Sequence, residues 1–552
     1  MMKKSRAGMV LGAFIATKIV VLFALAWNRV FIMDEFAQLG WAKYLGHGMF
    51  RTVWPSKTVG FTVFAKLADL IGWNAKSVLL VGRMETALLA CGTLAIVYAS
   101  ARAIGEMRRQ SGLVVLILLC FSNFIERVFE TRAEPLATFF GAAALLVAVW
   151  GEPRPRRVFF SGILGGLAFL STQKAIYLDV ALGLALVGDS LLHKRNRQAV
   201  VRGGWLVFGW SVPVVLYCFG FGGNHPLPIA QNLVFGPLGV ASPQTAAEYG
   251  GLRHFVVQTL IRNSLLYLFC FGGMALALAR LPRLSGSRRI ALIFSVVITA
   301  LVFAHNQPWP YIFVMALPFL ALWAPEAFDA LAGKPLYLAA AWAVLVIAIG
   351  ASFVRNVQTL RLDNHAQLAL VARAEKLLAP HDVYFDGIGM LPNRAESSTL
   401  WLDRHAILET RREGHQSEAW GIFAHSPPKI ILWSYRMEAI EPVVGPLIRE
   451  SYVQVAPNVR IAGIRLRRGQ ATAFNVPIGA TYALYDLNGV LLRDYFNLDG
   501  SDVKQPVPLK RGPTVIVFRI GPPEALLLPE GVYAGLLKAG ADDKSLFARV
   551  YE

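Results

Sequence analysis

The feature that most restricts this chain is the recurrence of apolar runs of about 18 to 25 residues, each long enough to cross a hydrocarbon core roughly 30 Å thick. Reading for apolar length places spans near 8–28, 79–101, 112–127, 133–150, 157–172, 175–192, 203–221, 258–279, 289–305, 309–325 and 336–354. That makes about eleven crossings. Composition agrees: of 552 residues, 55% are hydrophobic and only 16% are charged. The chain therefore reads as a polytopic α-helical membrane protein.

A net charge of +19 in a soluble chain would point to nucleic acid. Here the Lys and Arg residues concentrate in short connections, MMKKSR, GEMRRQS, GEPRPRR, HKRNRQAVVR and ARLPRLSGSRR, nearly free of acids. Such loops stay in the cytoplasm, so the charge sets orientation and implies no nucleic-acid partner. The opposite loops comprise residues 29–78, SNFIERVFETRAEP, 222–257, HNQPWP and everything after Arg355. They carry Asp34, Glu35, Asp69, Glu126, Glu130 and Glu134. The expected placement is a multi-pass protein of the bacterial inner (plasma) membrane, with a cytoplasmic N-terminus and a periplasmic C-terminal domain. MMKKSR and the run after it also resemble a signal peptide, with Ala24-Leu25-Ala26 as a cleavage site. The run from Gly8 to Trp27 is long for a signal core, so it is expected to stay as the first span.

Composition changes near residue 358. The expected division is a membrane module over 1–357, whose first periplasmic loop (29–78) holds interfacial helices, and a soluble domain over 358–552. Within the latter, 358–470 reads as an α/β segment: AQLALVARAEKLL is helical, and DVYFDG and KIILWS look like strands. Residues 471–552 read as β-sandwich-like. In YALYDLNGVLLRDYF, Asn488-Gly489 predicts a type I′ hairpin turn, and TVIVFRIG, VYAGLLKAG and SLFARVYE continue the strand pattern.

All four cysteines lie inside apolar spans, so no disulfide framework is expected. The ten histidines form no HxxxH or HxH cluster, there is no P-loop or dinucleotide fingerprint, and no metal ligands are assigned. SGILGGLAFL is glycine-rich, but as a membrane helix whose small residues permit close packing.

Several outward residues are suited to chemistry. Asp34 and Glu35 open a stretch, FIMDEFAQLGWAKYLGHG, whose apolar spacing suits a helix lying in the membrane interface. Asp34 reads as the N-cap of that helix, and an immobilised carboxylate there could also serve as a general base. Arg51 and Lys57, flanking Trp54-Pro55, could stabilise a departing phosphate or simply bind lipid head groups. Glu130, Arg132 and Glu134 stand at the mouth of a span, where charges either pair structurally or face a polar cavity. Lys174 is an outward cation that could snorkel. HNQPWPYIFVMALP brings His305 and Tyr311 to the outer end of adjoining spans, where Tyr311 could equally be a belt aromatic.

Taken in order, an N-terminal span, an outward loop opening with Asp-Glu, interfacial helices, a Lys about twenty residues later and an R-x-E-P-L loop resemble the C-type (GT-C) glycosyltransferases. The pattern is similar to lipid A aminoarabinose transferases, protein O-mannosyltransferases and related bacterial envelope enzymes, and covers residues 8–355. The resemblance implies that Asp34, with Glu35 beside it, is the catalytic base. Lys57 would contact the donor phosphate with help from Arg51 or Arg132, although this chain reads WPSKTVGF and lacks the family's Pro-Pro. Glu134 matches the family's second-loop acid and Tyr311 its turn tyrosine; with Lys174 and His305, read above as outward residues, they are the expected substrate-binding residues. The implied reaction is inverting transfer of a hexosyl or pentosyl group from a polyprenyl-phosphate carrier to an envelope glycan, lipid (lipopolysaccharide among them) or protein. No cofactor is certain, since members differ in their use of a divalent cation. The competing readings are a transporter or flippase of lipid-linked glycans, whose signature would be inverted repeats and mid-span acids, and a noncatalytic envelope scaffold.

Overall fold

The computed structural model describes residues 2–45, 58–223, 225–240, 251–492, 495–498 and 500–531. The chain forms two compact units. One comprises Met1–Arg29, Tyr44–Ala68 and Leu80–Asp363; the other comprises Val30–Lys43, Asp69–Leu79 and Asn364–Glu552.

The first unit is helical. Among the described residues six helices are long and apolar enough to cross a membrane: Gly8–Asn28, Ala75–Ala103, Gln173–Leu192, Asn196–Gly222, Gly286–Ala304 and Pro335–Leu360. Ala133–Val149 and Pro155–Ser171 are apolar helices of 17 residues each. Three expected spans differ from single straight helices. The stretch over 112–127 is a helix of only 13 residues, Arg108–Cys120, followed by an extended Phe121 and the short Ser122–Ile125 helix. At 1.5 Å per residue the first piece covers only about 20 Å. The stretch over 258–279 is the pair His254–Arg262 and Ser264–Ala279, bent by 92°. Between them the buried Asn263 side chain accepts from the Ser122 amide at 2.9 Å and donates to Thr259 O at 3.0 Å. An in-line helix gives up such an arrangement, and hydropathy cannot register it. The stretch over 309–325 becomes a 3-10 turn, Pro310–Met315, with two short helices, Leu317–Ala321 and Ala324–Asp329. Pro310, Pro318 and Pro325 remove helical N–H donors at each restart.

The glycine stripe does pack helices closely. A Cβ on Gly162 would lie 2.2 Å from Leu206 O, and one on Gly209 would lie 2.0 Å from Phe159 O. Pro155–Ser171 and Asn196–Gly222 thus meet backbone to backbone, which no larger residue allows. Polar groups inside the spans are bonded where they pin helices together. Lys18 Nζ donates to Ser352 Oγ at 2.8 Å and to Asn356 Oδ1 at 2.7 Å. At the ends bearing the basic loops, Asp189 pairs with both Arg202 and Arg289. The Gly60–Ile71 helix buries Phe61, Thr62, Ala65 and Ala68 and exposes Val63, Leu67, Leu70 and Ile71, the stripe expected of an interfacial helix.

The second unit holds three four-stranded sheets. Strands β1 (Tyr384–Phe385), β2 (Ile430–Leu432), β3 (Tyr452–Ala456) and β4 (Val459–Ala462) form a mixed sheet in the order β1-β2-β4-β3. Its β1–β2 pair is parallel, and helices Arg404–Glu413, Glu418–His425 and Tyr435–Ser451 cover it. The antiparallel remainder uses β5 (Ile464–Arg467), β6 (Ala471–Val476), β7 (Ala480–Tyr485), β8 (Tyr495–Leu498), β9 (Ser501–Lys504), β10 (Val507–Leu509), β11 (Gly512–Val517) and β12 (Glu524–Pro529). Sheets β10-β7-β12-β5 and β6-β11-β8-β9 share a core of Leu466, Phe474, Tyr482, Leu484, Ile516 and Leu527, so this part is a sandwich.

The turn at Asn488-Gly489 is present but is not type I′. Only Gly489 has positive φ (78°), while the Asp486 carboxylate accepts the amides of Asn488 and Val490 at 2.9 and 2.7 Å. That Asx cap stabilises a longer turn ending in a left-handed glycine. The segments VYAGLLKAG and SLFARVYE lie outside the described residues. Residues 30–43 and 69–79 side with the C-terminal unit, whose own start is Asn364.

Candidate active site

The helix bearing the acid pair, Met33–Ala42, begins after an extended Ile32 (φ −97°, ψ 157°). Ile32, not Asp34, is therefore the N-cap, and this corrects the capping assignment made from sequence. Glu35, at the third position of the helix, reaches back to accept the Ile32 amide at 3.1 Å. An apolar residue has no side-chain oxygen for capping, so an acid inside the first turn does the work and also complements the helix dipole. Glu35 is 0% exposed. Asp34, one residue earlier, is half-buried. The two neighbours thus differ in burial: Glu35 is enclosed and holds the helix start, and Asp34 is partly exposed.

Four of the other candidates converge in the first unit. Arg132 is the N-cap of Ala133–Val149, and Glu134 stands in its first turn, where the N-terminal end of the helix favours a carboxylate. Lys174 comes from the 3-10 turn Gln173–Ala175, and Tyr311 from the turn Pro310–Met315. Glu134 Oε1 accepts from Lys174 Nζ at 2.8 Å, and its Oε2 accepts from Arg132 Nε at 3.3 Å. The Tyr311 ring carries the Arg132 guanidinium 3.4 Å and the Lys174 ammonium 4.8 Å from its centroid. Arg132, Glu134 and Tyr311 are buried, whereas the Lys174 side chain is 34% exposed.

His305 follows the Gly286–Ala304 helix, and its Nδ1 pairs with Tyr177 OH at 2.9 Å. Tyr177 was missed from sequence; its only signal was a position three residues after Lys174 at a helix start. Glu130 belongs to a different network. It pairs with Arg127 at 2.6 Å and Arg29 at 3.7 Å, while Arg83 donates to the Ala26 and Arg29 carbonyls. Arg51 and Lys57 lie outside the described residues. Among the described residues no three His, Cys, Asp or Glu side chains come together as a cation site.

Two cations against one carboxylate leave the Arg132–Glu134–Lys174 group with one net positive charge. Its members are fixed by ion pairs and by a shared aromatic face. An arrangement of this kind suits a monoanionic oxyacid, because the donors are already oriented and need little reorganisation when the anion arrives.

Comparison with known proteins bears on the fold. Residues 408–461 and 464–529 match two family models, each described only as a domain of unknown function (DUF7056 and DUF7055). No curated protein matches the chain. ArnT from Cupriavidus metallidurans bound to undecaprenyl phosphate aligns with a TM-score of 0.59 at 15% identity, over 82% of this chain and 98% of that one. Its apo state aligns with a TM-score of 0.52 at 15% identity, over 83% and 98%. The oligosaccharyltransferase from Archaeoglobus fulgidus aligns more distantly, with a TM-score of 0.48 at 13% identity, over 87% and 72%. The chain is thus a multi-pass membrane protein with the GT-C fold, the architecture of ArnT.

Proposed function

We propose that the protein is an inner-membrane glycosyltransferase that takes a sugar from a polyprenyl-phosphate carrier and moves it to an acceptor hydroxyl on the periplasmic side. The observation that carries this reading is the Arg132–Glu134–Lys174 group on Tyr311. It supplies oriented positive charge at helix starts, in a fold shared with a protein solved with undecaprenyl phosphate. A carrier lipid also answers a topological need, because sugar activated in the cytoplasm must cross the bilayer to reach outward residues.

In this reading Asp34 accepts the proton of the acceptor O–H. The acceptor oxygen attacks the anomeric carbon, and the bond from that carbon to the phosphate oxygen breaks on the opposite face with inversion. The electron pair leaves with the carrier phosphate, whose charge Arg132 and Lys174 stabilise. Glu134 fixes the two cations, and His305 with Tyr177 offers neutral hydrogen-bonding groups for a sugar hydroxyl. Lys57 and Arg51 remain candidate phosphate ligands on sequence grounds. The acceptor class is an envelope glycan, lipid or protein.

The test is carrier binding and turnover. Lys174→Met and Arg132→Gln should each weaken binding of undecaprenyl phosphate by about tenfold or more, the effect of losing one charge-assisted hydrogen bond. Unchanged binding in both variants refutes the phosphate role. Release of undecaprenyl phosphate from its sugar conjugates in the presence of envelope extract distinguishes transfer from flipping, since a flippase returns the conjugate intact.

A further inference from the structure

The acid helix is held by residues more than three hundred positions later in the chain, within the same compact unit. At its start, the Gln367 side-chain amide grips the main chain of one residue twice: Oε1 accepts Phe31 N–H at 2.6 Å, and Nε2 donates to Phe31 O at 3.0 Å. Gln367 and Phe31 are each 2% exposed. At the helix end, Lys43 Nζ donates to Arg394 O at 2.5 Å and lies 3.8 Å from Glu396. Between these points, Tyr435 OH and Arg436 Nη2 reach Met33 Sδ at 2.9 and 3.0 Å, and Trp41 packs edge-on against Trp401. Gly40 lies against Gly389, whose carbonyl would be in ordinary contact, at 3.6 Å, with an added Cβ.

Burying a glutamine costs free energy unless both ends of its amide are bonded, and an apolar residue would fill the same volume more cheaply. What the amide adds is register. A packed apolar side chain fixes how deeply the strand sits, whereas a donor and an acceptor on one residue also fix where that residue lies along the chain. Phe31 is three residues before Asp34, so a slip there is transmitted directly to the first turn of the helix.

We infer that Gln367 is a positioning residue for Asp34, so that the C-terminal unit works as the mount of the candidate base rather than as an appendage. This rests on the reading of Asp34 as the base. Gln367 touches neither substrate nor reacting atoms; it acts through the Phe31 backbone. A misplacement of about 1 Å is enough to cost on the order of 100-fold in rate.

The experiment uses the full chain in nanodiscs with undecaprenyl-phosphate glucose, galactose, mannose and 4-amino-arabinose as donors and total envelope extract as acceptor. Gln367→Met keeps the volume and removes both hydrogen bonds; Gln367→Glu keeps the acceptor and loses the donor, and serves also if the Met variant fails to fold. The expected result is a kcat lower by about 10- to 100-fold in Gln367→Met, with KM for the donor within about twofold and Gln367→Glu intermediate.

Wild-type kcat in Gln367→Met beside an inactive Asp34→Asn overturns the inference and leaves the base standing. An active Asp34→Asn overturns the base reading itself. Should none of the donors turn over, amide exchange decides. Faster exchange over 31–36, with the β1–β4 sheet unchanged, supports the mount, and unchanged exchange over 31–36 overturns it.

Discussion

Replacing Glu35 and Asp34 one at a time should separate a residue that holds the fold from one that works on substrate. Glu35→Ala removes the acceptor of the Ile32 amide, and Ile32 is 4% exposed, so water does not replace the bond. An orphaned buried donor costs about 1–3 kcal/mol. Losing a carboxylate from the first helical turn adds about 0.3–1 kcal/mol. The expected destabilisation is about 2–3 kcal/mol, whereas Glu35→Gln, which keeps an amide oxygen in place, should lose about 1 kcal/mol or less. Asp34→Asn, at a half-buried position next door, keeps the side-chain size and one carbonyl oxygen, so it should lose less stability than Glu35→Ala. Urea unfolding followed by tryptophan fluorescence, with amide exchange over residues 32–36, measures the first effect. Release of undecaprenyl phosphate measures the second, and there the order reverses: Asp34→Asn is inactive and Glu35→Gln retains turnover. Equal destabilisation by Asp34→Asn and Glu35→Ala, or full turnover in Asp34→Asn, refutes the division of labour.

Two further outcomes follow from the packing. Gly162→Leu should separate the Pro155–Ser171 and Asn196–Gly222 helices, since the first added carbon already meets Leu206 O at 2.2 Å; a loss of at least about 1–3 kcal/mol is expected, and a wild-type folded yield refutes the contact. In the C-terminal unit, burial and the Glu396 charge push the Asp386 carboxyl up to about 7, against three backbone N–H donors from Ile388, Gly389 and Met390. Between its unfolded value near about 4 and that raised value, the native state holds a proton that the unfolded state has lost, so stability falls as pH rises through the window, by at most about 1.4 kcal/mol per pH unit. Urea midpoints at successive pH values should show the slope in wild type and a flatter profile in Asp386→Asn.

The hydropathy of this chain already dictates a helical membrane module, because apolar runs of bilayer length have no other stable home, and the distribution of Lys and Arg suggests which ends face the cytoplasm. The change of composition near residue 358 and the alternation beyond residue 471 mark an α/β segment and a sandwich, since a two-residue period buries one face of a strand. Arg132 and Glu134 stood out because charge at a span mouth must be compensated. Their partners could not be read the same way. Lys174 and Tyr311 lie 40 and more residues along the chain, and only helix packing brings them onto one carboxylate and one ring. The bend at Asn263 is equally hidden, because it depends on a side-chain pairing with Ser122 that no window of sequence contains. The division between Asp34 and Glu35 and the grip of Gln367 on Phe31 were likewise decided by tertiary structure. Neighbouring carboxylates look alike in a sequence, and what distinguishes them is which buried donor each one meets, a property of the folded chain alone.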